Sequence, residues 1–285
     1  MVRSARTLWC AVLGASLVAG ACELDTTEPI PDEPMTLLGG DLQSGIWRVD
    51  EVSGATTFLD SVFVQHPRAF GPYPVPIGAI ASLTWVPIAD MWWVGSARTA
   101  VCQNCIYRYD AVADTARLVR RLIEEVDTLA DFAVHPGSGR LYTFKRGFSG
   151  YLFRVEVVDA WFQEVMQLDE GEGGKGSTFW TDGHLYVSGG RFQQVLTRVE
   201  IERAASEQVG PVTYVGFPPF ASYAPRILSM ATRATDGTVF GLVLDGDVTY
   251  LATIDPTNAV VSHLGETGPQ LSALAYIPTR LLPAP

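Results

Sequence analysis

A five-residue pattern recurs five times in this chain of 285 residues. Each copy starts with an apolar residue. Its third residue is Arg or Thr, its fourth is apolar or aromatic, and its fifth is an acid. The copies are IWRVD at 46–50, IYRYD at 106–110, LFRVE at 152–156, LTRVE at 196–200 and LATID at 251–255. Their acids are 60, 46, 44 and 55 residues apart. Self-similarity at such intervals indicates a repeat architecture.

Each copy of the pattern is the third of four predicted strands. In the unit around 152–156, an apolar segment at 129–136 is followed by a Gly-Ser-Gly turn and a second strand at 140–144, and the fourth strand lies at 163–168. Pro and Gly at the reversal, between β-prone flanks, are typical of antiparallel hairpins. Four-stranded units at intervals of about 40–50 residues predict a β-propeller.

The two ends of the chain complement each other. Residues 271–278 match the first strand of a unit, whereas 35–38 and 46–50 match later strands that lack a first one. Pairing the C-terminal strand with the N-terminal blade would close the ring and leave no open edge. We therefore predict an all-β, five-bladed β-propeller over residues 35–280, followed by a C-terminal tail at 281–285. Six blades are the alternative if residues 60–78 or 210–225 contain further strands.

One segment has a competing pattern. Residues 115–126 (TARLVRRLIEEV) place Leu118, Leu122, Ile123 and Val126 at helical spacing. The repeat requires a fourth strand here, so we predict a strand that runs into a loop rather than a helix.

The first 22 residues have the three parts of a secretory signal. Arg3 and Arg6 precede an uncharged, mostly apolar run at 8–18, and small residues follow. The run is too short to span a bilayer as a stable helix. Its end, VAGAC at 18–22, resembles a bacterial lipobox. That resemblance implies that 1–21 are a cleaved lipoprotein signal peptide and that Cys22 is lipidated. The alternative is ordinary cleavage that leaves Cys22 as a thiol.

Residues 22–34 follow as a predicted tether, with five acids, three prolines and no basic residue. Charge and Pro keep such a segment extended. More than one acyl chain on Cys22 would hold the protein durably on a membrane. By resemblance to bacterial sorting signals, Glu23 favours the outer membrane over the inner one. The expected location is the cell envelope, periplasmic or surface-exposed.

Charge excludes one class of partner. The formal net charge is −11, and removal of Arg3 and Arg6 with the leader takes it to −13. Such a surface repels phosphate backbones, so we expect no nucleic-acid binding.

The units resemble the diverged propeller repeats of extracytoplasmic bacterial proteins over about residues 35 to 280. Those repeats have the form apolar strand, Pro-Gly turn, Leu-Tyr strand, Tyr-Arg-Ile-Asp strand, Gly, strand. The Trp-Asp dipeptide of WD40 repeats is absent, and only Gly189-Gly190 matches the glycine pair of kelch repeats. The resemblance implies a fold and no particular activity, because propellers host many functions. We expect a monomer.

In such propellers, the loops that join blades and the loops between second and third strands share one face, which usually holds the site. Long loops at 60–79 and 210–225 are rich in Pro and aromatic residues, as binding loops often are. For the aromatic loops, the alternative to a binding role is a packed loop that covers the channel. For the basic residues on this face, the alternative is that they are isolated solvated charges. The candidate residues on this ligand face are Lys145, Arg146, Lys175, Arg191, Arg226, Phe217, Phe220 and Tyr223.

Cys102 and Cys105 are predicted to form a local disulfide after export. Haem attachment would require His in place of Ile106, and zinc would require a second cysteine pair. The glycine-rich stretch at 171–177 has the wrong spacing for a phosphate loop. The four histidines are far apart, and Asp127 and Asp131, the best available acids, are interpreted as solvated loop acids. We predict no catalytic residue, metal ligand or cofactor.

The predicted function is a membrane-anchored, non-catalytic binding or scaffold module for a protein, a glycan or a small ligand. The alternative is a hydrolase or lyase that acts on carbohydrate or lactone substrates, and a third possibility is a structural remnant without a ligand. Charged residues with shifted pKa values at the channel mouth would favour the enzyme. Apolar and small groups there would favour binding.

Overall fold

The computed structural model describes residues 33–65, 74–96, 102, 104–121, 129–145, 150–168, 176–190, 193–221 and 225–283. These residues form strands and two short 3-10 turns, Ile201–Arg203 and Thr279–Leu281, with no α-helix among them. No helix within these ranges could therefore cross a membrane.

Five antiparallel four-stranded sheets form the five blades. Blade 1 contains β1 (Met35–Asp41), β2 (Gly45–Val49), β3 (Thr56–Ser61) and β23 (Leu271–Pro278). Blade 2 contains β6 (Ile80–Val86), β7 (Met91–Ser96), β8 (Cys105–Asp110) and β9 (Thr115–Arg121). Blade 3 contains β10 (Leu129–Val134), β11 (Leu141–Lys145), β12 (Gly150–Val155) and β13 (Phe162–Leu168). Blade 4 contains β14 (Ser177–Phe179), β15 (Leu185–Gly189), β16 (Val195–Glu200) and β17 (Ala205–Pro211). Blade 5 contains β19 (Arg226–Thr232), β20 (Val239–Asp245), β21 (Val248–Asp255) and β22 (Val260–Thr267).

Three additional short strands lie in the connections before blades 2 and 5. They are β4 (Phe63–Gln65), β5 (Pro74–Pro76) and β18 (Thr213–Val215). β4 pairs in parallel with β9 and antiparallel with β5, and β18 pairs in parallel with β22. These strands extend existing sheets at their outer edges, so the propeller has five blades and the six-bladed alternative is excluded.

The innermost strands form a closed ring around the central axis, because β23, β6, β10, β14 and β19 contact one another in turn. β23 pairs with β1 from Met35 opposite Pro278 to Asp41 opposite Leu271. The C-terminal strand thus completes the N-terminal blade, which confirms the predicted closure. β9 likewise confirms a strand for the first part of the segment that begins at Thr115, up to Arg121, whereas residues 122–126 lie outside the described residues.

The hydrophobic core lies between neighbouring blades. Val86 and Trp93 of blade 2, for example, share a buried cluster with Leu141 and Val155 of blade 3. Alternation along each strand sends side chains to both faces of a sheet, so a blade buries apolar residues against each neighbour. This packing explains why the strands are apolar on both faces.

The repeated acid ends or directly follows the third strand of each blade, and in blades 1, 2 and 5 its carboxylate stabilises the turn that follows. Asp50 Oδ1 accepts hydrogen bonds from the amides of Val52 (3.2 Å) and Ser53 (2.8 Å). Asp110 and Asp255 cap their turns in the same way. In each blade the residue four positions after the acid has a positive φ, and these residues are Gly54, Asp114, Ala160, Ala204 and Ala259. The repeat pattern is therefore a structural device.

Candidate functional site

A cavity of about 770 Å³ lies on the propeller axis. It is lined by the later halves of the innermost strands and the turns after them, at 83–85, 87, 132–134, 136, 178–181, 230–235 and 274–276. Residues 33–35 and Glu51 complete the mouth. The volume falls within the range of about 300–1,000 Å³ that is usual for small-molecule sites.

A ring of small side chains creates this space. One residue from each innermost strand occupies an equivalent position, and the five are Thr84, Ala133, Thr178, Ala231 and Ala275. Each lies opposite a larger residue of the adjoining strand, namely Trp93, Tyr142, Tyr186, Phe240 and Leu38 in the same order. In all five pairs the larger side chain belongs to the second strand and the smaller one to the innermost strand, so the centre of the ring stays open.

Aromatic side chains form much of the wall around this ring. Trp85 and Trp180 line the cavity, and hydrogen bonds hold their indole rings. Trp85 Nε1 donates to Asp90 Oδ1 (3.2 Å), and Trp180 Nε1 donates to the carbonyl of Gly237 (2.9 Å). With both indole N–H groups bonded at the rim, the rings contribute apolar surface to the cavity. Tyr276 also lines it, and burial together with nearby Glu51 raises the pKa of its hydroxyl.

Two arginines at the mouth each bind two carboxylates. Arg233 donates from Nε to Asp236 Oδ1 (2.9 Å) and also binds Glu51. These hydrogen bonds hold the pKa of Asp236 below its usual value. We call this set and the next the mouth clusters.

The second mouth cluster joins the two ends of the described chain. Arg280 Nε donates to Glu33 Oε2 (2.7 Å), and its two terminal nitrogens donate to Asp90 at 2.9 and 2.6 Å. The hydrogen bonds from Arg280 lower the pKa of Asp90. Glu33 lies in the predicted tether, so the described N-terminus sits at the cavity mouth.

Asp131 lies one position before the cavity-lining part of β10 and is fully buried. Its Oδ2 accepts hydrogen bonds from the Ser229 hydroxyl (2.8 Å) and from the amides of Met230 (2.8 Å) and Ser177 (3.2 Å). Burial raises the pKa of this carboxyl well above its usual value. The prediction that Asp131 is a solvated loop acid is wrong, because Asp131 lies in an innermost strand and is buried among the other innermost strands. Asp127 lies outside the described residues.

The predicted ligand face lies at the opposite ends of the innermost strands from the cavity mouth. Phe217 and Phe220 lie together, with ring centroids 5.3 Å apart, and Phe217 also packs against Tyr250 and His263 of blade 5. Both phenylalanines are half-buried, which matches the alternative of a packed loop. Arg226 is exposed at the start of β19.

The remaining residues of that face stay predictions. Lys145 ends β11, but its side chain is not among those described. Five further predicted residues lie outside the described ranges, namely Arg146, Lys175, Arg191, Tyr223 and Cys22.

Cys102 and Cys105, the predicted disulfide pair, are joined in the structure, with Cα atoms 5.9 Å apart. Both are buried, immediately before and at the start of β8. Among the residues that the structure describes, no group of three or more His, Cys, Asp or Glu side chains is arranged to hold a metal ion.

No protein-family model matches this chain, and no curated protein matches it either. A chain of the nidogen/laminin complex is similar with a TM-score of 0.55 at 8% sequence identity, over 85% of this chain and 98% of that one. U3-55K gives a TM-score of 0.48 at 12% identity over 87% of each chain. TolB from Acinetobacter baumannii gives 0.45 at 10% identity, over 86% of this chain and 66% of its own. The similarity to the nidogen/laminin chain shows a shared propeller fold and nothing about activity.

Proposed function

We propose that this protein is a non-catalytic extracytoplasmic binding module whose central cavity takes an apolar small ligand, or an apolar group of a larger one. The observation that carries the proposal is the ring of Ala and Thr side chains at five equivalent positions. In a close-packed interior, voids much larger than a water molecule are few. A cavity built from every blade and walled by aromatic rings is therefore a feature of the whole architecture and not a local packing defect.

The carboxylates near the cavity support binding over catalysis. Glu33 and Glu51 are already bound to Arg280 and Arg233. Asp131 lies beneath the cavity lining and already accepts several hydrogen bonds. General acid–base catalysis requires a group within hydrogen-bond reach of the reacting atom. The lowered pKa values of Asp90 and Asp236 meet one expectation for the hydrolase or lyase alternative, but both carboxylates are held by arginines, so binding has the stronger support.

The proposal includes a lipid anchor at Cys22, with the protein on the outer membrane of a bacterial envelope. Ten residues lie between Cys22 and Glu33, so the cavity mouth would lie within about 40 Å of the bilayer. Intact mass of protein extracted from its native membrane tests this part. A chain that starts at Cys22 and carries acyl groups is expected. A chain without lipid would refute the anchor and leave the cavity proposal intact.

The cavity is tested with the neutral fluorophore N-phenyl-1-naphthylamine. We expect saturable binding of one dye per protein, with affinity about tenfold or more lower after Ala231→Leu or Ala275→Leu, because the larger side chain occupies apolar space that the dye needs. The matched control is Ala113→Leu in the exposed β8–β9 turn, which should leave binding unchanged. Circular dichroism verifies that each variant is folded. Absence of saturable binding, or equal binding by the filled variants, would refute the cavity proposal.

A further inference from the structure

The mouth clusters give the cavity a preference of charge. Each contains one guanidinium and two carboxylates, Arg233 with Glu51 and Asp236, and Arg280 with Glu33 and Asp90. Two positive and four negative groups give the two clusters a formal charge of −2, and Glu33, Glu51 and Arg233 are the members that line the cavity itself. The lowered pKa values of Asp90 and Asp236 keep both ionised at neutral pH.

The rest of the same face adds to this negative field. The third strand of every blade runs in the same direction as the innermost strand, so all five repeat acids end on the face where the cavity opens. The carboxylates of Asp50, Asp110 and Asp255 accept hydrogen bonds from turn amides, which do not neutralise their charge. Glu156 and Glu200 are paired with Arg154 and Arg203, so the repeat acids add to the field mainly through the three Asp carboxylates. A net negative charge around a concave site with apolar walls focuses the potential into it.

We propose that the cavity takes a cationic amphiphile, that is, a ligand with an apolar body and an ammonium or guanidinium group. This inference rests on the proposed function and specifies its ligand class. The apolar body occupies the ring of small side chains, and the cationic group lies at the mouth near Glu33 and Glu51. Trp85, Trp180 and Tyr276 line the route between the two and offer aromatic faces to a cation.

The same charge makes the chain's own tether an unfavourable occupant. Residues 22–32 carry four acids and no basic residue, and they precede Glu33, which is itself part of the mouth. Like charges repel, so the mouth disfavours this segment and stays open to a cation.

Three probes with one apolar body and different polar ends provide the test. Phenylbutylamine, phenylbutanol and phenylbutyrate are titrated into the folded protein by isothermal calorimetry at neutral pH. We expect the amine to bind about tenfold more tightly than the carboxylate at about 0.01 M salt, with the alcohol between them. Raising the ionic strength to about 0.15 M should reduce this preference, because the mouth is open to solvent.

Variants connect the preference to the mouth. The double variant Glu33→Gln with Glu51→Gln leaves one Asp for each arginine, so its affinities for the three probes should agree within about twofold. Glu207→Gln is the matched control, because Glu207 also pairs with an arginine, Arg198 at 3.4 Å, on the outer strand β17. It should retain the preference of the unmodified protein.

The possible failures are distinguishable. Equal binding of all three probes, blocked by Ala231→Leu, would overturn the charge inference and leave the cavity proposal standing. Binding of the neutral dye without any binding of the amine would do the same. Failure of both the dye and the amine would overturn both proposals.

Discussion

One carboxylate, that of Asp131, connects several blades at the residue scale. It bonds directly to Ser177 of blade 4 and to Ser229 and Met230 of blade 5, and the Ser229 hydroxyl in turn accepts from the amide of Leu274 in blade 1 (2.9 Å). The innermost strands have no neighbour on their axial side, so their amides need partners there. Asp131 accepts from three such amides, those of Ser177 and Met230 in other blades and that of Phe132 in its own strand.

Asp131→Ala removes an acceptor from four buried donors, each of which costs about 1–3 kcal/mol if left unpaired. Allowing for water entry, we expect the free energy of unfolding to fall by about 3 kcal/mol, measured by chemical denaturation. Asp131→Asn keeps one acceptor oxygen and should lose less. Asp247→Ala, in the exposed β20–β21 hairpin, is the control and should change stability by less than about 0.5 kcal/mol. A loss at Asp131 no larger than this would contradict a bridging role.

The raised pKa of Asp131 has a consequence for stability against pH. The folded state retains the proton to higher pH than the unfolded chain, whose carboxyl titrates near about 3.9. The unmodified protein should therefore lose stability relative to Asp131→Asn as the pH rises above about 4 toward the folded-state pKa. Denaturation of both proteins across this range gives the difference. A difference that grows in favour of the unmodified protein with rising pH would show that hydrogen bonds to the carboxylate outweigh its burial.

Turns provide the clearest effect at the element scale. Three of the five turns after the repeat acid place alanine at positive φ, where an L-residue is strained by about 1 kcal/mol or more and glycine is not. Ala204 is exposed at this position, so its methyl group contributes little packing. Ala204→Gly should raise the free energy of unfolding by about 0.5–1 kcal/mol. Ala113→Gly, in the turn of blade 2 but outside the positive-φ positions, should have no such gain. Equal effects in the two variants would contradict the argument.

The strands of the blades could be predicted because each repeat carries its own turn residues and β-prone flanks. β4, β5 and β18 could not be predicted in the same way. They are three residues long, β5 contains two prolines, and β4 and β18 exist through parallel pairing with strands distant in sequence. Their formation depends on a neighbouring blade, and no local pattern records that neighbour.

The cavity belongs to the whole molecule, and this explains why the sequence pointed to a different face. Each Ala or Thr of the ring is unremarkable in its own strand, as in the segments LTW at 83–85 and FAV at 132–134. Only the closed ring brings the five together. The sequence nevertheless contains a signal for the ring. Three of the innermost strands can be aligned on a Pro that lies three residues after the ring position, and the residue at the ring position is Ala or Thr in every unit. The loops drew attention instead through their length and aromatic content.

Ring closure itself leads to the last prediction. Leu271, Leu274 and Ile277 of β23 are almost completely buried, and each contributes about 1.5–3 kcal/mol by burial. Together with the backbone pairing to β1, the contribution of β23 approaches the whole free energy of unfolding of a typical domain, about 5–15 kcal/mol. A chain restricted to 33–268 should therefore fail to fold. A circular permutant that begins at 269 and joins 283 to 33 by a short linker retains every strand.

The permutant is feasible because the two ends meet, with the amide of Thr279 donating to the carbonyl of Pro34 at 2.8 Å. It should show the same circular dichroism spectrum as the unmodified protein but a lower midpoint of thermal unfolding. Blade 1 is then continuous in sequence, and only packing between blades 5 and 1 closes the ring, without the interlocked pairing of β23. An unfolded permutant would show that the interlock is required for folding. A permutant of unchanged stability would show that packing between blades suffices to close the ring.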